Sequence, residues 1–404
     1  MERISTARRR RRLVPCALAL AALLGLTLAL GGGGARAGHG AVFNVNSTLD
    51  QPDASPGDGA CSSTPSGVCT LRAAIEEVNV HGSGNINLPA GRFVLGAQLV
   101  ITKSPTIVGA GSGRTIIDGN NDHRVFDIAD GAFVYIGRVS IENGEGEMSV
   151  AFPGHVHGGG IHNHGRLILV DSTLRFNAPM PGSTGGAMTN AGTGVATLVN
   201  VTIRTNVAAN GGGIENLGEL SLYNVTIAWN TAINASVGAG IYNNNGGKPL
   251  IIKNTLLTNN YSGGNLLNCA GLPNTAATNH GNLSNDATCG FTAADSNVDA
   301  GLGAFDFDNH TYPLLAGGAA VDGGINDAGV CPSADQIGAP RPQDGNGNGV
   351  ATCDVGATER QAPSTPTSTA TSTATAGPSP TPTSTVEAAP ATDIRIFAPL
   401  VVGP

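Results

Sequence analysis

Positive charge is scarce in this 404-residue chain, which carries 21 Lys and Arg against 29 Asp and Glu. Seven of the arginines and one glutamate fall within the first 37 residues. The remainder keeps 14 basic and 28 acidic residues, a formal net charge of −14. Nucleic acid and anionic membrane surfaces call for the opposite balance, so neither is an expected partner. No C-x₂-C spacing occurs, which removes the usual zinc frameworks. No Gly-rich stretch runs on into Lys-Ser/Thr, which removes a phosphate-binding loop. After Leu30 no apolar run is long enough to span a bilayer.

What is present begins with an export signal. Arg8–Arg12, the apolar run Leu13–Leu30 and an Ala35-Arg36-Ala37 site read as a basic region, a hydrophobic core and a cleavage triplet, with Gly38 starting the mature chain. The alternatives are a retained anchor and a twin-arginine route. Six cysteines remain after cleavage, an even number that suits an oxidising compartment. They fall in three close pairs, so the expected bridges are Cys61–Cys69, Cys269–Cys289 and Cys331–Cys353. Residues 361–392, rich in Ser, Thr and Pro, cannot bury a core and are expected to form a disordered, extended linker. The apolar tail 393–404 that follows reads as a sticky end or an attachment tag.

The body repeats itself. Gly-rich corners lead to Ile161, Met188, Ile214 and Ile241, spaced 27, 26 and 27 residues apart, each followed two residues later by Asn163, Asn190, Asn216 or Asn243. Further on, Leu169, Leu198, Leu222 and Ile252 align. So do Asp171, Asn200, Asn224 and Asn254, then Leu174, Ile203, Ile227 and Leu257, then Asn177, Asn206, Asn230 and Asn260. Between corners the alternation has period two, as in strands, and Gly and Asn tolerate the left-handed backbone of a corner. Stacked coils of this kind place like residues over like, and Asn columns can bond from coil to coil. The pattern predicts an all-β fold, a right-handed parallel β-helix. Over residues 81–330 it implies roughly nine coils, about 45 Å of solenoid. The glycines of "GGGIENLGEL" (211–220) are then corners. The Asn-Val-Thr triplets at 200 and 224 match a glycosylation sequon, but the Asn column accounts for them.

An open first coil needs a cap. "CTLRAAIEEVN" (69–79) predicts a short helix with Leu71, Ala74, Ile75 and Val78 on one face and Thr70 as N-cap. This run resembles the CSLREA signature of bacterial surface β-helix proteins. It departs at Ala73, where that family carries a glutamate able to complete a capping box. Asp335-Gln336, Pro340-Arg341-Pro342 and Cys353-Asp354-Val355-Gly356-Ala357 are similar to the closing module of choice-of-anchor Q proteins. The repeats resemble those of polymorphic outer-membrane proteins, without room after residue 360 of this chain for their barrel. These resemblances imply an exported, pectate-lyase-like right-handed β-helix. The expected layout is a signal (1–37), a cap (38–80), the β-helix (81–330), a closing module (331–360), a linker (361–392) and a tail (393–404).

Candidate chemistry is thin. Asp118, Asp122, Asp127 and Asp130 lie near Arg124, a set that could hold Ca²⁺ and abstract a proton from an acidic sugar, as β-helix lyases do; the competing reading is turn-forming Asp. His155, His157, His162 and His164 form two H-x-H pairs, expected to make a surface patch with His162 and His164 facing solvent. Asp344, Asn346, Asn348 and Gly349 begin like a calcium loop, but Val355 stands where its glutamate belongs. Two outward stripes, Val170-Val199-Tyr223 and Thr173-Thr202-Thr226, offer a flat face for a glycan or a surface protein. The expected protein is a secreted or surface-attached monomer, more binder than enzyme, whose partner is a polysaccharide or envelope component. No cofactor is implied except Ca²⁺. The alternative is a secreted, calcium-dependent polysaccharide lyase.

Overall fold

The computed structural model describes residues 40–146, 157–179, 182–273 and 281–362. The signal segment, His155, and the linker and tail from residue 363 lie outside the described residues. The chain winds as a parallel β-solenoid. A seven-stranded sheet runs from Leu99–Ile101 to Cys269–Ala270, so about 6 turns separate its ends. That is fewer than nine because the last strand, Leu283–Ser284, closes the parallel ladder well before residue 330. A 13-stranded sheet forms the broad side of the coil and a 4-stranded sheet a third, narrow one.

The register is the one the repeats predict. Leu169 pairs with Leu198, Leu198 with Leu222 and Leu222 with Ile252. Ile161, Met188, Ile214 and Ile241 pair in the same way on the second sheet. All of these side chains are fully buried, each worth about 1.5–3 kcal/mol relative to exposure. The ten-residue strands Arg166–Arg175, Val195–Arg204 and Glu219–Ala228 turn a corner at Asp171, Asn200 and Asn224. With Asn254 these residues hold φ of 49°, 53°, 53° and 48°, a left-handed conformation that short Asx side chains accept more readily than others. At the other corner Gly211 has φ 59°, and a side chain on Gly212 would strike the Thr231 backbone of the next coil.

Two asparagine ladders run through the interior. Asn163, Asn190, Asn216 and Asn243 bond Nδ2 to Oδ1 at 2.8 Å per step. Asn177, Asn206, Asn230 and Asn260 do so at 2.9 Å. In this second ladder each Oδ1 also accepts a backbone amide of the preceding coil, and each Nδ2 also donates to a backbone carbonyl. Buried amides are tolerated where their polar atoms are paired, as throughout the second ladder; in the first, Asn163 Oδ1 at the start of the run has no partner among the described residues.

Helix Leu71–His81 covers the first coils with Leu71, Ala74, Ile75 and Val78. Thr70 caps it, accepting the Ala73 amide at 3.1 Å. The three disulfides join Cys61–Cys69, Cys269–Cys289 and Cys331–Cys353. From about residue 300 the chain folds back along the broad sheet. Val355, Val321, Ala320 and Leu314 form a second apolar cluster there with Leu256 and Leu283 of the last coils.

Candidate functional site

The returning segment changes the face that the sequence offers. Thr173, Thr202 and Thr226 are buried: Thr173 donates to His310 O, Thr202 to Gln336 Oε1, and Thr226 accepts the Ala357 amide. The threonine stripe is therefore an internal seam, while Val170, Val199 and Tyr223 stay half-exposed. Asn200 and Asn224 are buried against Ala334 and Val330, so in the fold neither sequon is open to a modifying enzyme.

Of the lyase candidates, the structure brings together only Arg124 and Asp127, 3.8 Å apart and both fully buried. Arg124 donates to the His157 and Gly158 carbonyls and to Gln98 Oε1, tying coils together where no polymer could reach it. Asp118 pairs with Arg92 and accepts from Asn143, Asp122 is exposed beside His123, and Asp130 is exposed. His162 is buried against Asp127 at 3.5 Å rather than facing solvent. It sits in a column with Asp127, Thr189 and Glu215 on the second sheet, whose outer side is closed over. His164 packs edge-on to His162 at 4.2 Å, and burial pushes it down to about 4. In the loop 344–349 both Asp344 oxygens accept backbone amides, from Gly347, Asn348 and Gly349, while Asn346 and Asn348 accept amides of their own, as in nested turns. Among the described residues, the one grouping of three candidate metal ligands is Asp53, Asp58 and Glu77 in the cap. Its oxygens accept the amides of Ser55, Gly57, Gly59, Ala60 and Ser62, which shapes the cap loop.

The residues that stand out physically are elsewhere. One position before the second asparagine ladder, each coil turns through a left-handed residue: Phe176 at φ 57°, Thr205 at 53°, Trp229 at 54° and Asn259 at 56°. Asn suits that backbone; Phe, Trp and β-branched Thr do not, and each is strained there by about 1–3 kcal/mol. The fold holds them because the ladder beneath fixes the corner. Phe176 and Trp229 are still 38% and 37% exposed. From the returning segment, Tyr312 stacks on Trp229 with centroids 4.9 Å apart and planes at 27°. Phe305 meets Tyr312 edge-on at 5.0 Å and lies 3.9 Å from the Arg204 guanidinium. Burial lowers Arg204 and pushes the Tyr312 hydroxyl up to about 12, so that phenol stays protonated. Arg204, Thr205, Trp229, Phe305 and Tyr312 wall an open groove along this rim. Tyr312 is buried beneath the stack, so Trp229 is the ring of that pair that stays open to water, and an exposed indole is suited to the C–H faces of sugar rings.

Comparison with family models, with curated proteins and with solved structures finds no match. No motif in the sequence marks this groove, because half of it comes from residues 303–312, outside the repeats. The available signal was the odd residue before each ladder asparagine: Phe, Thr and Trp where Asn259 shows the relaxed choice.

Proposed function

We propose that this protein is an exported β-helix, displayed at or beyond the cell surface, that binds a polysaccharide along the Trp229–Tyr312 groove without turning it over. The carrying observation is the left-handed backbone at Phe176, Thr205 and Trp229, a strain with no benefit to the coil itself. Export is supported by the signal-like N-terminus and three disulfides, and among the described residues no helix is long and apolar enough to cross a membrane. The CSLREA-like cap and the choice-of-anchor Q-like ending support placement among right-handed, pectate-lyase-like surface β-helices.

Affinity electrophoresis through gels containing envelope polysaccharides tests the reading. Retardation by at least one polymer is expected, with Trp229→Ala weakening it by about tenfold or more. Equal mobility with and without every polymer would remove the proposal. Appearance of unsaturated sugar product with Ca²⁺ would favour the lyase instead.

A further inference from the structure

A second, polar pocket of about 380 Å³ opens where the returning segment meets the coil. Its walls come from distant parts of the chain: the loop Ala110–Arg114, the coil corner at Arg138 and Asp171, Asn309, and the turn Gln336–Gly338. The walls are set before any ligand arrives. Gly113 lies so close to Asp308 that a Cβ would sit 1.8 Å from its carbonyl oxygen. Ser112 Oγ donates to Asn309 O at 2.7 Å. Gln336 Nε2 donates to Ser112 Oγ at 3.2 Å and to Thr173 Oγ1 at 2.8 Å.

Arg138 occupies the corner column that continues through Asp171, Asn200, Asn224 and Asn254, and like them it is left-handed, at φ 61°. It is the one member of this set that is not Asx, and the strain of a long side chain there is about 1–2 kcal/mol. Arg138 and Arg114 are both exposed. Among the described residues the arginine ion pairs belong to Arg72, Arg92, Arg124, Arg175 and Arg341, leaving these two without a carboxylate partner. Arg138 instead donates one bond to Ala110 O at 3.2 Å, which points its guanidinium along the pocket wall. A net-acidic protein that keeps two arginines without ion pairs on one preformed polar pocket, against the single carboxyl of Asp171, has a local field suited to an anion.

We propose that this pocket binds an oxyanion between Arg138 and Arg114, with Asp171 opposing the bound charge. The oxyanion is either a free small anion or the same group carried on a polymer as a sulfate ester or carboxylate. The site does not depend on the groove: a free anion would bind here even if the groove bound no polymer.

Asp171 gives the site its pH dependence. Its carboxyl accepts from Asn200 Nδ2 at 2.9 Å, and burial raises it to about 6. The charged and titratable groups facing it are Arg138 and Tyr135 on the preceding coil and Asp335 and Arg341 on the returning segment. Below about pH 6 Asp171 is neutral and the arginines act unopposed; above it, a carboxylate competes with the ligand.

The test is isothermal titration of the mature protein with inorganic sulfate and, in a second arm, with a sulfated oligosaccharide, at pH 5 and pH 7.5. Saturable one-to-one binding is expected, tighter at pH 5 by about threefold or more. Arg138→Asn, which installs the residue the corner prefers, is expected to fold and to weaken binding by about tenfold or more. Asp171→Asn, likewise matching its column, is expected to bind equally at both pH values. Stronger binding of the oligosaccharide than of sulfate would identify the polymer-borne source, and equal binding the free anion. Absence of saturation in both arms, or Arg138→Asn binding like wild type, would overturn the proposal.

Discussion

Thr202 Oγ1 donates a 2.7 Å hydrogen bond to Gln336 Oε1, joining positions 134 residues apart. The same amide donates to Thr173, one coil earlier. One glutamine therefore bridges two coils and holds the returning segment down on the broad sheet. Two aligned hydroxyls that a single coil would show to solvent become buried partners of that amide.

Gln336→Ala leaves both hydroxyls buried without this partner. The expected loss is about 1–3 kcal/mol of unfolding free energy, read from urea denaturation. A loss under about 0.5 kcal/mol would mean that the segment is held elsewhere.

Asn206→Leu interrupts the second ladder at its middle. Asn177 Nδ2 and its backbone amide lose their shared acceptor, and Asn230 Oδ1 loses the Asn206 Nδ2 donor while keeping the backbone amide of residue 206. Destabilisation of about 3 kcal/mol or more is expected. Exposed Asn234→Ala is the control, with a change within about 0.5 kcal/mol. Similar effects for the two variants would contradict the ladder's role.

Thr205→Asn should stabilise the protein. It relieves a β-branched residue at φ 53° and removes a buried hydroxyl, Thr205 Oγ1, that has no hydrogen-bond partner among the described residues. A gain of about 1 kcal/mol is expected, measured as a raised unfolding midpoint. A lowered midpoint would show that the corner is not strained.

His310 makes the fold acid-sensitive. It is buried beside Ser140, 2.7 Å away, and burial together with the Arg175 charge pushes it down to about 4. In the unfolded chain it titrates near its ordinary value of 6.5. Between those values the unfolded chain takes up a proton that the folded one refuses. The stabilising contribution is thus complete above about pH 6.5 and falls as pH drops toward 4, by about 1–3 kcal/mol. Raised carboxyls such as Asp171 pull the other way, so the comparison is between wild type and His310→Gln. Their stability difference should shrink from pH 7 to pH 4.5, and a constant difference would assign the histidine no such role.

The coil was legible because its information is local and repeated. Leu198 over Leu222, and Asn206 over Asn230, follow from spacing alone, since a period-two strand with a fixed corner leaves one register that buries the aliphatics. The cap helix was legible for the same reason, with Thr70 and one apolar face. The chemistry was less so. Asp118, Asp122 and Asp127 look like a cluster when read along the chain, yet a corner turns them to different surroundings. His162 alternates as an outward residue and is nevertheless enclosed.

The amino-acid pattern by itself determined the parallel winding, the inward columns and the local disulfides, because each depends on residues close together along the chain or directly above in the next coil. Only the tertiary structure decided which outward face survives. The threonine seam, the Trp229–Tyr312 stack and the Arg138 pocket all form where residues 300–360 return across the sheet. Contacts made over several times the repeat length leave no periodic trace in the sequence.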